Sequence, residues 1–118
     1  MSKQYEWFKI AESLEALTFN IQHLAEVQVN GKHVCIALHQ NNVFACAAKC
    51  PHASGKMSEG YIDALGNIVC PLHRYKFALS TGRNVSGEGY FLKNYAVEVR
   101  PNGVFIGFEK NSMFNWLK

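Results

Sequence analysis

Cys50-Pro51-His52 and Cys70-Pro71-Leu72-His73 decide how this chain is read, because each places one thiol and one imidazole close together behind a shared Cys-Pro opening. The seventeen residues from 53 to 69 prevent the two stretches from forming one continuous turn. The fold has to bring them together, and a metal clamp built from two loops is the economical reason for it to do so. Two chemistries use two Cys and two His. A structural zinc takes all four as one tetrahedron, commonly with the Cys paired on one arm and the His on the other. A pair of irons can instead take both thiolates on one iron and both imidazoles on the other, and arms that mix Cys with His then let each loop reach both irons.

Composition bounds the rest. A chain of 118 residues suits one domain, and 48% hydrophobic residues are enough for a core, while 18% charged residues argue against disorder. The formal net charge of +3 is spread without a block of Lys and Arg, so no nucleic-acid partner is expected. Met1 to Glu6 lacks the apolar run of a signal peptide, and no stretch reaches the ~18 apolar residues of a membrane span. The expectation is a soluble, cytoplasmic protein with no membrane partner. Cys35 and Cys46 lie in apolar runs and read as buried free thiols, which a reducing compartment would keep from pairing. His23, His33 and His39 have no ligand company and read as surface residues.

Periodicity gives several short strands. Tyr5–Ile10 has the aromatic content of a first strand, and Ala11–Leu17 is helix-prone but long enough only for a turn or a loop. Asn30-Gly31 is the strongest hairpin signal, after which Val34, Ile36 and Leu38 alternate onto one face. His39–Asn42 turns, and Val43–Ala47 leads into the first Cys-Pro loop. Gly60–Ile62 and Asn67–Val69 form a hairpin around Asp63–Gly66 whose second strand delivers Cys70. Phe77–Leu79, Tyr95–Val99 and Val104–Phe108 complete the strands, with Ser86–Gly89 a flexible loop between. Short strands with Gly and Asn turns and no long helical period argue an all-β sandwich or barrel-like domain. The apolar ending, Ser112–Leu117, reads as a short packed helix or a self-association surface.

The mixed Cys-x-His and Cys-x-x-His arms, with Pro after each Cys, closely resemble the Rieske family, strongly at the loops and more loosely from Tyr5 to Phe108. The resemblance implies an antiparallel β-sandwich or barrel-like core carrying a cluster-binding subdomain of two hairpin loops. It implies one Rieske domain over residues 1–118, with cluster loops at about 48–60 and 69–80, and one [2Fe–2S] cluster per chain. Cys50 and Cys70 would bind the inner iron, and His52 and His73 the outer iron nearer solvent. Two ferric irons, two sulfides and two thiolates with neutral imidazoles leave the oxidised centre neutral and the reduced centre singly negative. The electron therefore works against less charge than in a four-thiolate cluster, and the potential is higher. His52 and His73 would form the electron port.

Respiratory and photosynthetic members resemble one another in two further Cys that form a disulfide across the loops, at places held here by Gly55 and Leu72. They also tend to carry Ser and Tyr hydroxyls where this chain has Tyr75 and Phe77. Fewer donors to the sulfurs predict a low-potential centre, in the lower part of the about −150 to +300 mV Rieske span. That pattern resembles the soluble Rieske-type ferredoxins that feed ring-hydroxylating oxygenases. The proline-bearing loop often found beside the cluster is replaced here by Ser86–Tyr90 with its Gly-Glu-Gly. Gly55 and Gly60 either let backbone amides approach the sulfides or serve turns. Arg74 and Lys76 beside His73 read first as solvated loop charges, with steering of an acidic partner as the alternative.

The implied function is a one-electron carrier between a reductase and an oxygenase or similar acceptor protein, with no catalytic residues of its own. Its sole Asp, Asp63, comes without a spare His pair, so the mononuclear iron site of an oxygenase is not expected on this chain. Two alternatives stand beside it: a Rieske-like small subunit of a larger reductase, such as NADH-dependent nitrite reductase, and a zinc-stabilised interaction module.

Overall fold

A computed structural model describes residues 4–53 and 55–110, so Ser112–Leu117 lies outside the described residues. Among the described residues, nine strands form two antiparallel sheets. The larger one contains β1 (Tyr5–Ala11), β2 (Leu24–Val29), β3 (Lys32–His39), β4 (Asn42–Ala47), β8 (Asn94–Arg100) and β9 (Gly103–Glu109), in the order β1-β9-β8-β4-β3-β2. The smaller one contains β5 (Tyr61–Ile62), β6 (Asn67–Val69) and β7 (Lys76–Ala78) in sequence order. Of the helix-prone run, Ala11 ends β1 and only Leu14–Ala16 coils, into a single 3-10 turn. A segment this short cannot offset the cost of helix nucleation.

Turn chemistry sets the register of β2, β3 and β4. Asn30 and Gly31 have φ of +50° and +78°, and Gln40 and Asn41 have φ of +51° and +66°. Both two-residue turns thus hold both central residues in the left-handed region, whose twist matches the flanking strands. Cys35 then falls directly opposite Cys46, and Ala37 opposite Phe44.

Burial of the Val34 and Ile36 face is only half of what β3 does, and Cys35 is buried as its apolar surroundings in the sequence lead one to expect. Val34 and Ile36 pack with Ala25, Val29, Ala45, Val104 and Ile106 inside the curl of the larger sheet. Cys35 and Ala37, on the other face, are buried as deeply, against Leu24, Met57, Ile68, Phe77 and Leu92. A period of two assumes one wet face. Here the small sheet and its loops cover that face, so β3 divides two cores. Each large side chain buried there contributes roughly 1.5–3 kcal/mol.

The turn joining β5 to β6 is fixed by Asp63. Its Oδ1 accepts hydrogen bonds from the backbone N–H groups of Leu65 and Asn67, each 3.0 Å, and its Oδ2 accepts one from the Asn67 side-chain amide at 3.1 Å. Burial pushes the Asp63 carboxyl up, but the donors from Asn67 and Leu65, with the charge of Lys76, outweigh it and hold the group below its ordinary value. This fixes the start of β6, the strand that delivers Cys70.

Candidate metal centre

Both Cys-Pro stretches are tips of hairpins closed in the same way. The N–H of Cys50 donates to the carbonyl of Gly55 at 2.9 Å, and the N–H of Cys70 donates to the carbonyl of Tyr75 at 2.9 Å, each partner lying five residues after its cysteine. The first tip continues β4 through the Lys49–Lys56 bridge and the Met57 N–H donating to the Ala48 carbonyl. The second joins β6 to β7, with Arg74 at φ +61° and its N–H donating to the Cys70 carbonyl to complete the turn.

The tips meet at their ligand-type side chains. Donor atoms of Cys50, His52 and Cys70 all lie within 4.8 Å of one another. His52 turns Nδ1 toward the Cys50 sulfur at 3.6 Å, and His73 reaches the group through His52, its Nδ1 being 2.7 Å from His52 Nε2. Cys50 and Cys70 are 4% and 0% exposed, whereas His52 is half-buried and His73 exposed. Burial pushes the Cys50 thiol up, the backbone N–H groups of His52 and Ala53 pull it down, and the neighbouring Cys70 pushes it up again; the net direction is upward. A bound metal would displace that proton, because thiolate rather than thiol is the ligand. Two buried sulfurs at one end, two amides aimed at one of them, and two imidazoles at the wetter end fit the donor set of a two-iron cluster with unequal irons.

Cys35 and Cys46 face each other across β3 and β4 as free thiols. Their hydrogen bond, followed by burial, pushes the Cys46 thiol well up, which makes it an inert core group. His33 lies 3.3 Å from a Glu26 carboxylate oxygen, and neither it nor His23 or His39 is among the gathered donors.

The two glycines differ in what they do. A methyl group added at Gly55 would stand 3.0 Å from Leu72 Cγ and 3.2 Å from the Cys70 sulfur, so this backbone does close on the sulfur site. At Gly60 an added Cβ would lie within 1.9 Å of the Val69 carbonyl oxygen, so this glycine lets the 3-10 turn Met57–Glu59 cross β6. Of the two charged neighbours of His73, Lys76 lies 3.9 Å from Asp63 and Arg74 is exposed.

Sequence reasoning missed two features. The Tyr75 ring lies along His52 with centroids 3.9 Å apart at 29°, and Tyr90 stands 5.8 Å from both rings. Asn84 also ties the Ser86–Gly89 segment together: its Oδ1 accepts from the N–H groups of Glu88 and Gly89, and its Nδ2 donates to the Lys76 carbonyl and to Glu88 Oε1. The segment expected as a flexible loop is thus crossed by hydrogen bonds. An Asn four residues before an acidic residue in a Gly-rich stretch was the available signal.

The fold and the paired arms define a metal-binding β domain whose ligand-type residues sit at two hairpin tips. Residues 6–107 match the family model of the Rieske-like [2Fe–2S] domain, and the chain belongs to that family. The ferredoxin component of the naphthalene 1,2-dioxygenase/salicylate 5-hydroxylase systems of a Ralstonia species is 33% identical over 84 residues, 70% of this chain and 80% of that one. Among solved structures, the ferredoxin of carbazole 1,9a-dioxygenase from Nocardioides aromaticivorans superposes with a TM-score of 0.73 at 22% identity, covering 85% of this chain and 95% of the other. A chain described as an NADH-dependent nitrite reductase small subunit from Mycobacterium tuberculosis superposes with a TM-score of 0.78 at 19% identity, covering 92% and 99%. At these identities the two structures establish a common fold. The all-β Rieske architecture expected from the sequence is therefore borne out. Among the described residues, no helix is long and apolar enough to cross a membrane.

Proposed function

We propose that the chain is a soluble, cytoplasmic one-electron carrier of the ferredoxin type. It takes electrons from a reductase and passes them to an oxygenase or similar acceptor protein, and performs no substrate chemistry itself. Cys50 and Cys70 hold the inner iron of one [2Fe–2S] cluster, and His52 and His73 the outer iron. The observation that carries this reading is the meeting of the two Cys-closed hairpin tips, with both sulfurs buried and one imidazole at the surface. When bound, the cluster supplies reversible one-electron transfer at a potential raised by its imidazole ligands.

The chain's own residues set the conditions for that transfer. Buried Cys50 and Cys70 keep the inner iron from water, and the N–H groups of His52 and Ala53 stabilise the Cys50 thiolate. Phe77, fully buried where relatives tend to carry a tyrosine hydroxyl, has no donor to offer, and Tyr75 meets His52 ring to ring. Both support a potential in the lower part of the about −150 to +300 mV span. The ferredoxin role of the Ralstonia relative supports an oxygenase as the acceptor.

Purification with iron supplied tests the proposal. The carrier contains two irons and two labile sulfides per chain, absorbs visible light and gives a rhombic spin signal on reduction. A colourless protein holding one zinc overturns it in favour of a structural module. A reductase that co-purifies in fixed proportion, in place of a partner that exchanges, selects the alternative of a reductase small subunit.

A further inference from the structure

The two imidazoles are not in equivalent surroundings, and their difference comes from aromatic residues outside the ligand set. We propose that Tyr75 and Tyr90 form a fixed lid over His52, so that His73 is the imidazole presented to solvent and to the redox partner. The inference rests on the reading above that both histidines are ligands.

Tyr75 lies along His52 at 3.9 Å, a stacked contact that takes one face of the imidazole out of water, and Tyr90 closes on the same pair at 5.8 Å. His73 stands 6.3 Å from Tyr75, tilted by 46°, and remains exposed. Its neighbours Leu72 and Arg74 are exposed as well, which gives the His73 edge an apolar contact and a cation beside it.

The lid is held as well as placed. Tyr75 accepts from Cys70 through its backbone carbonyl and is followed directly by β7. The segment bearing Tyr90 is fastened to the same strand: the Lys76 N–H donates to Ser86 Oγ, and Asn84 Nδ2 donates to the Lys76 carbonyl. Asn84 Oδ1 then accepts from both Glu88 and Gly89, immediately before Tyr90. Two rings anchored on one strand have little freedom to lift from His52.

Water favours the more highly charged form of a redox centre, and with neutral imidazoles the reduced centre carries the charge. Excluding water from His52 therefore lowers the potential, and opening the lid raises it. The test uses the full chain with its cluster and compares the unaltered protein with Tyr75→Phe, Tyr75→Leu and Tyr90→Leu. Midpoint potentials come from voltammetry. Exchange of each imidazole N–H with D2O is followed by pulsed spin resonance of the reduced centre. The unaltered protein and Tyr75→Phe show one imidazole exchanging slowly and one fast, at the same potential. Tyr75→Leu removes that distinction and shifts the potential upward. Equal exchange at both imidazoles in the unaltered protein overturns the lid, as does Tyr75→Leu with both exchange and potential unchanged. Should Tyr75→Leu fail to retain iron, Tyr90→Leu, altered on an exposed side chain, carries the test with the same outcomes. Absence of the rhombic signal in the unaltered protein is a different result, and refutes the ligand assignment rather than the lid.

Discussion

Gly55 and Leu72 touch across the two hairpin tips: a Cβ built on Gly55 would lie 3.0 Å from Leu72 Cγ and 3.1 Å from its Cδ1. These are the positions at which respiratory members of the family carry a cross-loop disulfide. Here a leucine side chain resting on bare backbone joins the loops instead, and the same Cβ would lie 3.2 Å from the Cys70 sulfur. Such a contact holds the tips by packing alone, so it is sensitive to a single methyl group.

Gly55→Ala is expected to cost about 1–3 kcal/mol by overpacking and to lower iron retained per chain. Leu72 is 55% exposed and able to turn aside, whereas Cys70 is fully buried. The double variant Gly55→Ala/Leu72→Ala should therefore recover part of the stability. Iron content and thermal unfolding report both effects, and full iron retention in Gly55→Ala would remove this contact from the account of the site.

Gly60→Ala should be the more damaging change. Its Cβ would meet the Val69 carbonyl oxygen at 1.9 Å, a backbone atom of β6 with nowhere to go. We expect a loss of about 3 kcal/mol or more. Gly87→Ala is the control: it has φ +95° but open space around it, so only the conformational cost of about 1–2 kcal/mol applies. Chemical denaturation of the two variants should rank them in that order.

Acid sensitivity should depend on Asp63. Its carboxyl is held below the ordinary value, so the folded state binds its proton less readily than the unfolded chain does. The resulting stability is fully present above the unfolded value of about 3.9 and is lost as pH falls through the lowered folded value. Asp63→Ala should cost about 1–3 kcal/mol near neutral pH, since it leaves the Leu65 and Asn67 donors without their acceptor. The gap between variant and parent in denaturant midpoint should narrow below about pH 4. A gap that is constant with pH would show that the charge is not what matters.

Replacing both Cys35 and Cys46 by Ala should leave the iron and sulfide content unchanged, because these free thiols face each other across β3 and β4 and are not among the gathered donors. Stability should fall by about 1–2 kcal/mol from lost burial. Loss of the cluster with the fold intact, seen by circular dichroism, would refute the separation of the two thiol pairs.

Much of this was legible in the chain because local rules apply to it. Asn30-Gly31 announced a turn that only left-handed residues make, and the strand leading to Cys70 followed from the turn residues Asp63–Gly66. The Cys and His arms announced their chemistry because few other reasons place those side chains together. The double burial of β3 was only partly legible: the apolar run around Cys35 marked that thiol as buried, but nothing local showed that the small sheet is what covers its face. The stack of Tyr75 on His52 was not legible, since the residues lie on different hairpins and no spacing rule relates them.

The sequence by itself thus determined the donor types, the turns and the strand pattern, which depend on neighbours along the chain. Only the tertiary structure decided which glycine faces a sulfur, which imidazole is covered, and that Asn84 fastens the segment carrying Tyr90. Those outcomes depend on how two separate sheets are placed against each other. That placement is set by the shape of a shared core, to which many residues distant in sequence each contribute a little.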